Sequence, residues 1–156
     1  MLFTAHSIPL SMAAVAPYEA QLQEAAALVA ARLPGRPRWE VVFQSRSGPK
    51  SQPWLEPDIN DRLRALAAEG VDAVVVAPLG FVSDHMEVVY DLDVVARETA
   101  EHAGVRFARA STPGAALAPM VRELVSEQVE GRSDRAALGE PWPDICPAGH
   151  CIPTKP

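Results

Sequence analysis

The sequence predicts an α/β domain: a four-stranded, mainly parallel sheet with helices on both faces. Two observations carry this. Short β-rich runs alternate with helical patterns four times along the chain, and such alternation demands parallel pairing with crossover helices. One run, "VDAVVVAPL", is apolar on both sides of its two-residue period, as an interior strand of such a sheet would be.

The elements follow in order. "LFTAH" (2–6) reads as the first strand. "YEAQLQEAAALVAARL" (18–33) reads as a helix, with Leu22, Ala25, Val29 and Leu33 spaced for one apolar face. "WEVVFQS" (39–45) is the second strand. "DINDRLRALAAEG" (58–70) is a helix with Asp58 as N-cap, Ile59, Leu63 and Leu66 inward, and Gly70 as its stop. The third strand is 71–79, followed by a long helix over 84–104 that ends at Gly104. "VRFARA" (105–110) is the fourth strand, and "AALAPMVRELVSEQVEG" (115–131) the last helix, with Pro119 in its early turns. Beyond Gly131 the periodicity stops. The segment "GEPWPDICPAGHCIPTKP" holds five prolines and is read as irregular. The expected organisation is one domain over 1–131 and a tail over 132–156.

Bulk properties narrow the function. A chain of 156 residues with 48% hydrophobic residues builds one ordinary core. A net charge of −6 argues against nucleic-acid partners, which meet a basic face. The longest apolar run is broken by Pro78 and Gly80, short of the ~20 residues of a membrane span. No basic residue precedes Arg32, so the start is not a secretory signal, and a cytoplasmic protein is expected. A disulfide between Cys146 and Cys151 is disfavoured in that compartment.

In an open parallel sheet, ligands bind beyond the carboxyl ends of the strands. Those ends gather polar residues: His6-Ser7, Gln44-Ser45-Arg46, Ser83-Asp84-His85 and Ser111-Thr112. His6 is either a histidine satisfied by a backbone carbonyl or a general base or metal ligand, since imidazole titrates near neutral pH. Asp84 fits a solvated helix start favoured by the helix dipole. Glu87 and Asp91 fit that reading less well, because Val88, Val89, Leu92, Val94 and Val95 surround them. At ~100° per residue, His85 and Glu87 point about 200° apart on a regular helix. Both face one cleft only if His85 precedes the first turn or the helix carries a π-type irregularity. Trp54, in a proline-rich loop, is a loop anchor or a wall for a flat ligand, and its setting favours the anchor.

Four segments, "LFTAHSIPLSM", "VVFQSRSGPKSQPWLEPDI", "VVVAPLGFVSDHMEVVYDLDV" and "AGVRFARA", together resemble the C-terminal half of ferrochelatase, in order over roughly residues 1–130. The resemblance implies a flavodoxin-like, chelatase-like fold and insertion of Fe(II), as substrate, into protoporphyrin IX or coproporphyrin III in haem biosynthesis. It makes His6 and Glu87 the catalytic pair and, with Asp91, the metal-handling residues. His85 and Ser83 would support Glu87, and Trp54, Ser45 and Arg46 would contact the porphyrin. It further implies a partner: a missing first half, or a second copy of this chain. An apolar surface is then expected to be exposed near Met12, Trp54 and Phe81. The alanine- and arginine-rich composition is compatible with a GC-rich source, where an actinobacterial origin would favour coproporphyrin.

The resemblance comes with departures, the more serious being that ferrochelatases are about twice this length, with the substrate between two flavodoxin-like halves. Val95 stands where many family members have a further acidic residue. Some members bind a [2Fe–2S] cluster through C-terminal cysteines, but this tail offers only Cys146 and Cys151, as C-x4-C, with His150 between them. Two other readings compete: a short homodimeric tetrapyrrole chelatase, and a non-enzymatic tetrapyrrole-binding module.

Overall fold

The computed structural model describes residues 1–49 and 51–132, with Pro143, Ile145 and Ala148 beyond them. The elements are β1 (Leu2–His6), α1 (Leu10–Ala13), α2 (Tyr18–Ala30), β2 (Glu40–Gln44), α3 (Ile59–Ala68) and β3 (Ala73–Ala77). They continue with α4 (Met86–Val88), a π-helical segment (Val89–Ala96), α5 (Arg97–His102), β4 (Arg106–Arg109), a 3-10 turn (Gly114–Ala116) and α6 (Leu117–Glu130). Every expected element is present. β1 has the expected bounds, β2, β3 and β4 are shorter than the runs that announced them, and α1 is an addition the sequence reading lacked.

All strand pairs are parallel, in the order β2-β1-β3-β4. That is the order of a flavodoxin-like sheet, whose switch point lies between β1 and β3. Alternation sorts the side chains onto two faces. Leu2, Val42, Val74 and Val76 join Leu63 of α3 and Val88, Leu92 and Ala96 in one buried cluster. Phe3, Ala5, Val41 and Phe43 join Leu22, Ala26 and Ala30 of α2 in the other. His6, in phase with Leu2 and Thr4, therefore looks toward the face that carries the π segment.

The second face is only partly covered. β3 is interior in the strand order, yet Ala73 and Val75 are exposed, as are Arg106 and Ala108 of β4. α6 makes its main contact with the 3-10 turn before it. Met120, Val121, Leu124, Val125 and Val129 are exposed along it, while Glu127 is its buried residue. Helices thus lie on both faces, but the apolar pattern of β3 promised cover that these residues do not supply.

The α3 stop and start follow the expectation. Asp58 accepts a hydrogen bond from the Asn60 N–H, and Gly70 takes a left-handed φ of 82°. No helix among the described residues is long and apolar enough to cross a membrane.

Candidate functional site

The register of β1 and β2 sets the site. His6 pairs with Gln44, so the two strand ends meet side by side, next to the switch point between β1 and β3. After β3, Gly80 donates its N–H to the Thr4 carbonyl at 3.0 Å. A Cβ on Gly80 would fall 2.7 Å from that of Ala5, so only glycine allows this approach. The chain then runs through Phe81 into the helical face over His6.

His85 stands just outside that helix. Its backbone is extended (φ −143°, ψ 173°), and its Nδ1 accepts from the Val88 N–H at 3.4 Å. Its ring meets Phe81 edge-on at 5.6 Å. Helix follows, but eight residues, Val89–Ala96, take the π form. Both expected irregularities are therefore present: His85 precedes the first turn, and the helix is π-wound from Val89. His85 thus caps α4, the short helix on which Glu87 lies.

Glu87 Oε1 lies 3.6 Å from His6 Nε2, with both side chains partly exposed. His6 Nδ1 lies 2.5 Å from the Ser7 carbonyl. A carbonyl only accepts, so Nδ1 carries the hydrogen, and in the neutral ring Nε2 presents its lone pair toward Glu87.

Asp91 points to the neighbouring strand end. It accepts from Ser45 Oγ and from Gln44 Nε2, the latter at 3.3 Å. Ser45 holds this contact from a left-handed backbone, φ 63°, which is costly for a residue with a Cβ. Asp91, Gln44, Ser45, Arg46, Asp58, Ile59, Asn60 and Val95 line a cavity of about 200 Å³. Val95 gives it an apolar wall where the resemblance led one to expect a further acidic residue.

The remaining expected residues are more peripheral. Arg46 is exposed and donates to the Gln52 carbonyl at 3.2 Å. Ser83 is exposed in the loop before His85. Trp54 is half-buried and pairs across a β-bridge with Pro9. Ser7 Oγ donates to the Leu55 carbonyl at 2.8 Å, which ties the Trp54 loop to the segment just after His6. The indole face also excludes a side chain at Gly48, whose Cβ would sit 2.6 Å away. These contacts make Trp54 an anchor of that loop. The apolar surface expected in this region is present: Met12 is exposed, and Val82 and Met86 are exposed beside Phe81, which is itself buried against the Val88 cluster.

Two residues of the site carried no role in the sequence reading. Gln44 is 2% exposed, and its Oε1 has no partner among the described residues. A glutamine closing an apolar strand was its only signal. Arg109, at the end of β4, binds Asp93 and Asp84 at 2.8–3.2 Å. It holds the Asp84 carboxyl below its ordinary range, mainly through these hydrogen bonds.

Among the described residues, no three His, Cys, Asp or Glu side chains are grouped to hold a metal ion. Cys146 and Cys151 lie outside the described residues, as does most of the tail they belong to. The chain has two cysteines, short of the four ligands a [2Fe–2S] cluster needs.

A family model described as ferrochelatase matches residues 1–129. The chain belongs to the ferrochelatase family. It is 46% identical to a ferrochelatase of Rhodopirellula baltica over 99% of its own length and 45% of the relative's. It is 48% identical to a coproporphyrin III ferrochelatase of Frankia alni and 45% identical to one of Nocardia farcinica. Each comparison takes in 99% of this chain, but 43% and 48% of those relatives. The chain thus spans about half the length of the curated ferrochelatases it matches. A crystal structure of a cobalamin (vitamin B12) biosynthesis CbiX protein from Marinobacter aquaeolei VT8 superposes with a TM-score of 0.58. It is 17% identical, covering 84% of this chain and 97% of that one, and shows the shared chelatase-like α/β fold.

Proposed function

We propose that this ferrochelatase-family chain carries the metal-inserting face of a porphyrin ferrochelatase. The observation that carries the reading is the His6–Glu87 pair, held at 3.6 Å at the switch point of the sheet. Two of the three relatives are named for coproporphyrin III, which is the substrate we favour.

The chemistry follows from charge balance. A divalent iron enters the macrocycle as two pyrrole protons leave, so the porphyrin core keeps its charge. His6 Nε2 and the Glu87 carboxylate offer one acceptor for each proton. An imidazole and a carboxylate also suit a divalent iron that is held loosely and passed on. Asp91, with Ser45 and Gln44, would line the approach of the ion from the β2 side. Trp54, Ser45 and Arg46 would meet the porphyrin at its edge, while His85 and Ser83 steady the loop that delivers Glu87. The relatives are about twice as long, so the porphyrin's opposite face would be supplied by a further ferrochelatase half or by a second copy of this chain.

The test is ferrous insertion into coproporphyrin III by this chain, alone and mixed with the separately expressed first half of a related ferrochelatase. The reading expects turnover in the mixture. Porphyrin binding without metalation in any mixture would instead mark a binding module. Turnover by the chain as a stable dimer would make it a short chelatase.

A further inference from the structure

We propose that Arg109 is a positioning residue for the His6–Glu87 pair. From the end of β4 it clamps both ends of the segment that carries Glu87. The proposal rests on the functional reading above, and it adds a residue outside the expected site.

The loop that brings Glu87 to His6 has little apolar hold. Residues 82–87 are all exposed, between buried Phe81 and buried Val88. A segment held at two apolar points leaves the direction of Glu87 to polar contacts. Arg109 supplies them. Its Nη1 and Nη2 fork onto Asp84 at 3.0 and 3.2 Å. Its Nε donates to Asp93 at 2.8 Å. Asp84 lies immediately before the capping His85, and Asp93 lies within the π segment. Glu87 is therefore bracketed by two carboxylates held on one cation. The guanidinium side chain is only 13% exposed, while its partners Asp84 and Asp93 are 41% and 26% exposed, so the clamp is anchored on the Arg109 side and open to water at Asp84. Arg109 also donates to the Ala110 carbonyl at 3.4 Å, and Arg97 approaches Asp93 at 3.6 Å. Lysine keeps the charge but cannot fork to one carboxylate while reaching a second.

The experiment reads the position of Glu87 directly. In the full chain, the nuclear Overhauser contact between the His6 ring protons and the Glu87 side-chain methylenes is measured for wild type, Arg109→Met and Arg109→Lys. The contact is expected in wild type and lost in both variants, while contacts across β1 and β2 persist. Should Arg109→Met fail to fold, Asp84→Asn weakens the same clamp while leaving Asp93 in place, and is expected to lose the contact too. In the reconstituted metalation assay, Arg109→Lys should lower kcat by about 10²-fold, as a misplaced reacting group does. KM for porphyrin should stay within about two-fold, since the loss falls on the chemical step. A His6–Glu87 contact that survives in Arg109→Lys and Asp84→Asn overturns the proposal, as does a change confined to KM. The two readings separate. Loss of the contact in a wild-type background that never metalates porphyrin leaves the positioning role and removes the function. Metalation that needs His6 but ignores Arg109 does the reverse.

Discussion

Ser45 shows at the scale of one residue how the site is held. Its φ of 63° costs about 1–2 kcal/mol for a residue with a Cβ, and its hydroxyl reaches Asp91. Ser45→Ala keeps the strain and loses the hydrogen bond, so chemical denaturation should show a loss of about 1–2 kcal/mol. Ser45→Gly loses the same bond but relieves the backbone, and should be about 1 kcal/mol more stable than the alanine variant. Equal stability of the two would show that the left-handed turn carries no strain. Gly80 is a second such point. Gly80→Ala must push Ala5 and the Thr4 carbonyl bond apart, because the added carbon meets Ala5 at 2.7 Å. A lower thermal midpoint, by several degrees for a loss of about 1–3 kcal/mol, is the expected outcome. His6, Glu87 and Asp91 were legible because polar residues at apolar strand ends and helix faces stand out. Gln44 was visible only as one polar strand end among several, with no role attached, and Arg109 was not visible at all. A glutamine ending a strand and an arginine in an edge-like run have ordinary explanations, and only the register beside His6 and the reach to Asp84 give them weight.

At the scale of elements, the chain's punctuation was readable. Asp58 before α3 and the glycines after α3 and α5 act locally, so their sequence signals translate into structure. The π winding was legible only as a requirement: His85 and Glu87 cannot share a cleft on a straight helix. Its extent, Val89–Ala96, depends on packing against the sheet and leaves no mark in the periodicity. Long-range ion pairing was also hidden. Arg62 of α3 bonds Glu40 at the start of β2 at 2.7 Å and Glu69 at 2.6 Å. Glu40 is held below its ordinary 4.5, first by this hydrogen bond. Since the folded value lies below the unfolded one, the stabilisation is full above about pH 4.5 and is lost as pH falls through the folded value. Because water screens this partly exposed pair, Glu40→Gln should cost about 1 kcal/mol near neutrality. The gap from wild type should close as pH falls below about 4.5 in urea titrations. A gap that is constant over that range would mean the pair contributes nothing through charge.

For the whole molecule, the sequence announced a sheet covered on both faces, and this chain leaves part of one face open. Val75 is 46% exposed on β3, and α6 turns Val121, Leu124 and Val125 outward. Exposed apolar stripes of this kind mark contact surfaces. The chain alone should self-associate, and Val121→Glu with Leu124→Glu should reduce that association in sedimentation velocity. Because both positions lie at the surface, the thermal midpoint should barely move. Unchanged association in the double variant would remove α6 from the contact.

The central claim is that His6 and Glu87 act as one unit in metal insertion, and a double-mutant cycle tests it most directly. Initial rates of iron insertion into coproporphyrin III are measured for the reconstituted chain and for His6→Ala, Glu87→Gln and the double variant. A general base is worth about 10²–10⁴-fold, so each single change should cost at least about 10²-fold. Groups that act together lose their effect once, so the double variant should be no worse than the slower single one. A rate within a few-fold of wild type for His6→Ala, or fully additive losses in the double variant, would contradict the account.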